Sequence, residues 1–370
     1  MPAARIIGLP ALYVQGEDIL CDLPGRLVDY FGCTQAVVVC DPVVKHLFTG
    51  LACPANLALQ ILDFGGKCTR AEVLRLGRLA STATPEVVVG AGGGQALDTA
   101  KAVALELGLP LVIVPTAASS DAPTSRLIAI YDEAHKITEV PLMRRNPEMI
   151  FVDTGVLVRA PRRLFIAGMG DAFTKRYEVA DAARDPGHRN YFAGRSPHLA
   201  TVLASACHDA LLHAGQQALG ELDAGVVGPG FDRVVEASIL YSGLAFESGG
   251  LSIAHGMLRG LTACAQTHAS LHGELVSYGL LVQLHAFGWS EAEIQQASAF
   301  LAAVGLPTSR RDIGLADATE AQLLQIAELT LSAPYLERLT PALSAARLVQ
   351  AMVAVEEFAA TTKSFQGDKR

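Results

Sequence analysis

The first 160 residues alternate short β-branched runs with amphipathic stretches, and after Ala160-Pro161-Arg162-Arg163 that texture ends. Ala36 to Cys40 (AVVVC) and Leu59 to Phe64 read as strands, and TRAEVLRLGRLAS after them as a helix. A strand from Glu86 to Val89, a glycine cluster, a helix from about Gln95 to Leu107 and a strand from Leu111 to Val114 follow. Together they make a βαβ unit whose first turn is rich in glycine. LIAIY at 127–131 and the segment after His135 predict a small hairpin, and MIFVD at 149–153 a last strand. Strands and helices in this alternation predict an α/β, mostly parallel sheet with helices on both faces. From residue 161 onward, stretches such as LASACHDALLHAGQQALGEL and FDRVVEASILYSGLAFES repeat apolar residues at helical spacing, which predicts an all-α second half. A chain of 370 residues is longer than one core usually supports, so two domains are expected, 1–160 and 161–370, with a cleft between them.

Composition narrows the function classes. Hydrophobic residues make up 51% of the chain, yet no apolar run reaches the roughly 18 uncharged residues a membrane span needs. The start, MPAARIIGLPALYVQGEDIL, has no basic region followed by an apolar core, so a cytoplasmic protein with no membrane partner is expected. A formal charge of −8 and the lack of any Lys/Arg-rich stretch argue against nucleic acid as a partner. The seven cysteines are odd in number and contain no C-x-x-C pair, which fits reduced packing thiols.

Gly90-Ala91-Gly92-Gly93-Gly94 stands between a predicted strand and the helix carrying Asp98 and Lys101. Glycines there let backbone N–H groups approach a pyrophosphate at a helix N-terminus; a tight turn that needs positive φ is the alternative. Asp41, at the end of AVVVC, either accepts hydrogen bonds from ribose hydroxyls and repels a 2′-phosphate, or simply begins the turn Asp41-Pro42. Gly168-Met169-Gly170-Asp171-Ala172, Ala254-His255-Gly256 and His268-Ala269-Ser270-Leu271-His272-Gly273-Glu274 supply a carboxylate and imidazoles, a donor set suited to zinc or iron. His268 and His272, four apart, could share a helix face; histidines that merely pack are the alternative.

The motifs YVQGEDIL, GAGGGQALDTAK at 90–101, VPTAASSDAPTSRLIAIY at 114–131, RNPEMIFVDT at 145–154, AGMGDAF at 167–173, SIAHGMLRG at 252–260 and HGELVSYG at 272–279 together resemble the glycerol dehydrogenases, in the wider group of iron-containing or group III alcohol dehydrogenases. The likeness covers nearly the whole chain. It implies a dinucleotide-binding domain over 1–160, a helical metal-binding domain over 161–370, and the architecture shared with dehydroquinate synthase. It implies that Asp171, His255 and His272 hold the metal and that Asp121 faces the substrate. It implies dinucleotide contacts from Asp41, Gly94, Gln95, Thr116, Ser119, Ser125, Leu127 and Tyr131, to which the loop and its helix add Gly92, Gly93 and Asp98. It also implies homo-oligomers such as octamers.

Three departures bear on this. Relatives that use iron carry a further ligand one helical turn after the metal-binding Asp, where this chain has Lys175. They carry another His four residues after the first ligand His, where this chain has Arg259. A three-ligand zinc site is therefore expected. Many glycerol dehydrogenases have Lys after the glycine loop, where this chain has Gln95. Arg126 and Lys175 either reach an anionic substrate group or are structurally paired cations. The function expected is NAD-dependent oxidation of a secondary hydroxyl in glycerol or a similar small vicinal diol, giving a hydroxyketone, with zinc as the Lewis acid. The alternative on the same fold is reduction of 2-oxo acids to 2-hydroxy acids, with Lys175 or Arg126 meeting the carboxylate.

Overall fold

The structure, a computed structural model, describes residues 4–133, 137–337, 339 and 342–367. Six parallel strands form the central sheet: β1 (Leu12–Gly16), β2 (Gln35–Cys40), β3 (Ala58–Asp63), β4 (Val87–Gly92), β5 (Leu111–Pro115) and, last in the chain, Met149–Asp153. Between them an antiparallel pair, β6 (Ile130–Tyr131) and β7 (Ile137–Glu139), makes the expected small hairpin, with 134–136 outside the described residues; Met149–Asp153 is thus β8. The sheet order is β1-β8-β5-β4-β2-β3. Strands β2, β4, β5 and β8 lie inside it and are buried almost throughout, which is why they read as unbroken apolar runs rather than alternations. Successive residues of β2 feed opposite layers: Val37 and Val39 join one hydrophobic cluster, Ala36, Val38 and Cys40 the other.

Helix Arg70–Ser81 begins where expected because the Thr69 side chain accepts a hydrogen bond from Glu72 N. From β2 the chain runs outward to β3, then returns across β2 to lay down β4 and β5 on its other side. The reversal puts a topological switch between the C-terminal ends of β2 and β4, the place where open α/β sheets bind ligands.

The chain divides into two compact units that are not contiguous halves: Gly8–Phe165 with Gly220–Gly243, and Met1–Ile7 with Ile166–Leu219 and Leu244–Arg370. The sheet unit runs to Phe165, and the excursion Gly220–Gly243 goes with it. Polar contacts explain why: Gln15 Nε2 donates to Asp232 Oδ1 at 2.7 Å and the Thr124 hydroxyl donates to Ile239 O at 2.6 Å. The stretch read as one helical pattern over 231–248 is broken in the middle. A π turn at Ala237–Tyr241 separates helix Pro229–Glu236 from Ser242–Gly249. In the other unit the described elements are predominantly helical, and the 26-residue helix His198–Asp223 lies in it up to Leu219. Among the described residues no helix is long and apolar enough to cross a membrane.

Candidate active site

Asp171, Lys175 and Glu178 follow one another at helical spacing across helices Arg162–Phe173 and Lys175–Ala182. His255 sits in the short helix Ile253–Gly256, and His272 is the first residue of helix His272–Phe287. Glycine brings the first and last of these together. A Cβ on Gly273 would overlap the backbone of Ala167, and one on Gly170 would lie 2.8 Å from Gly273 O, so the two helices meet backbone to backbone beside Asp171.

The ligand atoms of Asp171, His255 and His272 all lie within 4.8 Å of one another. Asp171 Oδ1 is 3.2 Å from His255 Nε2 and 3.8 Å from His272 Nε2. Donors about 2.0–2.2 Å from one ion stand a little over 3 Å apart, so the three atoms fit a divalent metal with a coordination position to spare. Lys175 sends its ammonium into the same group, with Nζ 2.6 Å from Asp171 Oδ1 and 3.3 Å from His255 Nε2. It is fully buried, and so is Asp171.

Sequence reasoning missed Glu178. Its Oε2 lies 2.7 Å from His255 Nδ1, while Oε1 accepts from His255 N at 3.1 Å and Ser252 N at 3.0 Å. A buried carboxylate only accepts, so Nδ1 carries the proton and Nε2 is turned toward Asp171. The signal was a spacing: seven residues after Asp171 is two helical turns along one face. Burial alone would raise the Asp171 carboxyl, but the Lys175 ammonium and hydrogen bonds from His255 and His272 hold it well below the usual range. Burial would lower the His255 imidazole, but Glu178 outweighs it and carries the value up to about 9. Burial would likewise raise Glu178, yet His255 and Lys175 keep it low.

The glycine turn belongs to the sheet unit. Gly92 ends β4 at φ +142°, where a Cβ would lie 2.8 Å from Ala96 Cβ and 3.0 Å from Asp41 Cβ. Gly93 caps helix Gly94–Leu107 in extended conformation with no side-chain cap bond, and a Cβ on it would meet nothing within 4 Å. The turn therefore presents the start of a 14-residue helix, free of side chains, at the switch point. Asp41 lies beside it: its N donates to Ala91 O and its side chain accepts from Val43 N at 3.0 Å. Thr116 N donates to Gly92 O, so β5 leads its loop past the same turn.

Other expected cofactor residues are directed inward. Asp98 accepts from the buried Lys101 at 3.0 Å and from Ala129 N at 3.0 Å, ties that fix the helix to the segment before β6. Gln95 Oε1 accepts from Cys68 N at 3.2 Å. Leu127 bridges to Leu142 and its carbonyl accepts from Lys101, Tyr131 N donates to Cys68 O, and Ser125 is buried. Ser119 lies half-buried in the loop after β5. Arg126 is buried too, donating to Met143 O at 3.3 Å. In the same loop Asp121 is nearly buried, and its Oδ2 accepts from the Ser242 hydroxyl at 3.1 Å. His268, read as a possible neighbour of His272 on one helix face, precedes that helix and is exposed.

A parallel sheet with a glycine turn at its switch point and a group of one carboxylate and two imidazoles, of which only His272 is exposed, define a dinucleotide-using, metal-assisted oxidoreductase. The family model for iron-containing alcohol dehydrogenases matches residues 10–154. Glycerol dehydrogenase of Pseudomonas putida is 38% identical over 331 residues, covering 88% of this chain and 89% of that protein. Glycerol dehydrogenase of Thermotoga maritima is 39% identical over 323 residues, covering 86% and 87%. The crystal structure of glycerol dehydrogenase from Schizosaccharomyces pombe superposes with a TM-score of 0.92 at 31% identity, covering 99% of this chain and 94% of that one. The chain belongs to the iron-containing alcohol dehydrogenase family, on the side of its glycerol dehydrogenases. It is an NAD-linked, metal-dependent oxidoreductase.

Proposed function

We propose that the enzyme reversibly oxidises the secondary hydroxyl of glycerol, or of a similar small vicinal diol, to the hydroxyketone, with NAD as hydride acceptor and zinc as its metal. The convergence of Asp171 Oδ1, His255 Nε2 and His272 Nε2 within 4.8 Å carries this reading. Zinc is preferred over iron because position 175, one turn beyond Asp171, offers an ammonium that cannot ligate. When bound, zinc supplies Lewis acidity that lowers the proton affinity of an alcohol.

The chain's own residues do the rest. Glu178 holds the Nδ1 proton of His255 and fixes the ring, leaving Nε2 as the donor atom. Asp121, oriented by Ser242, accepts a hydrogen bond from a second substrate hydroxyl and fixes which carbon presents its hydrogen. The N-terminus of helix Gly94–Leu107 takes the pyrophosphate, and Asp41 takes the adenosine ribose. A 2-oxo acid is disfavoured, because Arg126 donates to Met143 O and Asp121 would repel a carboxylate. We further propose a homo-oligomer, testable by light scattering, and a cytoplasmic setting, which the seven free cysteines favour.

The test is NAD(H) turnover, followed by absorbance, on glycerol, 1,2-propanediol, dihydroxyacetone, 2-hydroxybutyrate and 2-oxobutyrate. Diols should exceed 2-hydroxybutyrate in kcat/KM, and dihydroxyacetone should exceed 2-oxobutyrate, each by tenfold or more. A tenfold preference for the acids would overturn the substrate assignment.

A further inference from the structure

Lys175 lies closer to the ligand group than a bystander would. Its Nζ is 2.6 Å from Asp171 Oδ1 and 3.3 Å from His255 Nε2, and those two atoms are 3.2 Å apart. A metal about 2.1 Å from both atoms is thereby confined. Wherever it sits around the line joining them, it is no more than about 4 Å from the ammonium nitrogen. The first hydrogen-bonding partner of Nζ is also the oxygen that the metal needs.

We infer that Lys175 is a tethered cation that competes with the metal for Asp171, so that loading the metal requires its ammonium to leave Oδ1. The inference rests on the proposed ligand set. Burial gives it force: Asp171, Glu178 and Lys175 are all fully buried, so water does little to screen a single positive charge from a double one. The same contact explains how the metal-free protein tolerates two buried carboxylates in one site, because Lys175 offsets a charge that would otherwise be left uncompensated. Lys175 stays linked to the backbone four residues from Asp171, so once displaced it remains at high local concentration and returns when the metal leaves. Metal affinity is then lower, and metal exchange easier, than the three ligands alone would give.

Calorimetric titration of Zn²⁺ into chelator-stripped wild type and Lys175→Met tests this without reference to turnover. The substitution keeps the length and apolar stem of the side chain and removes its charge. Lys175→Met should bind zinc at least tenfold more tightly than wild type. Its metal-free form should melt at a lower temperature than metal-free wild type, and zinc should raise its melting temperature by the larger amount. If metal-free Lys175→Met does not fold, Lys175→Met and the shorter Lys175→Thr are purified zinc-loaded and challenged with a chelator. Wild type should surrender its zinc at the lower chelator concentration. Equal or weaker zinc binding by the variants overturns the inference and leaves the metal site standing. Failure of wild type and variants alike to bind zinc overturns both. Binding by the variants alone supports the inference in its strongest form.

Discussion

Glu178 and His255 are joined by a contact of 2.7 Å between Oε2 and Nδ1, and the other carboxylate oxygen of Glu178 takes the backbone N–H of the same histidine. The carboxylate therefore fixes the tautomer, the ring plane and the backbone turn of a proposed metal ligand at once. Glu178→Gln keeps the shape and loses the charge, and its amide can present a donor to Nδ1. Zinc affinity should fall about 10–100-fold, the usual cost of losing such a partner. Chelator competition on purified protein measures it; an unchanged affinity would show that the contact is only structural.

Strands β2, β4, β5 and β8 were readable because burial on both faces leaves an apolar run with no alternation to interpret. Strand β1, LYVQG at the sheet edge, is half-buried and mixes polar with apolar positions, so nothing in its pattern marked it. The π turn at Ala237–Tyr241 was hidden because the apolar periodicity runs on through it. In the site, the three ligands came from motif likeness, and their spacing alone left packing histidines as an alternative. Glu178 went unread, since its partner His255 is distant in sequence. Gln95 and Asp98 lie where a cofactor contact was expected, yet their side chains bond inward to Cys68 N and Ala129 N, directions that pattern cannot encode.

The glycines of the cofactor turn separate by substitution. Gly92→Ala places a Cβ at φ +142° and 2.8 Å from Ala96, so it should destabilise the fold by about 1–3 kcal/mol. Gly93→Ala meets no protein atom within 4 Å. It should leave the melting temperature nearly unchanged while raising the KM for NAD, because the new methyl would stand where the pyrophosphate is proposed to approach. Equal effects of both substitutions on stability and on KM would contradict the assignment.

Asp41 should decide between the two nicotinamide cofactors. Its Cβ would lie 3.0 Å from a Cβ on Gly92, and its carboxylate caps the turn after β2. A 2′-phosphate there would meet like charge in a partly desolvated site, costing on the order of 1–4 kcal/mol. Wild type should prefer NAD, and Asp41→Gly should narrow the ratio of kcat/KM values by tenfold or more. A wild type indifferent to the two cofactors would remove the role given to Asp41.

His208 makes stability sensitive to acid. Burial, with Arg176 nearby, lowers its imidazole to about 4, and it stacks on Phe173 at 4.6 Å between ring centroids. The folded value is below the unfolded one, so the stability linked to the neutral ring is intact above about pH 6.5. It is lost as pH falls from there toward 4, by up to about 3 kcal/mol. In His208→Gln, unfolding free energy measured by denaturant titration should fall less steeply across that window. Some slope should remain, because burial also lowers His188 and His285. An unaltered slope would mean that His208 is protonated without cost.

The most direct test of the whole account is turnover of glycerol and NAD by protein stripped with a chelator and shown by elemental analysis to hold no metal. Activity should vanish and return on adding zinc, and Asp171→Ala should stay inactive at any zinc concentration. Full activity in the metal-free protein, or in Asp171→Ala, would contradict it.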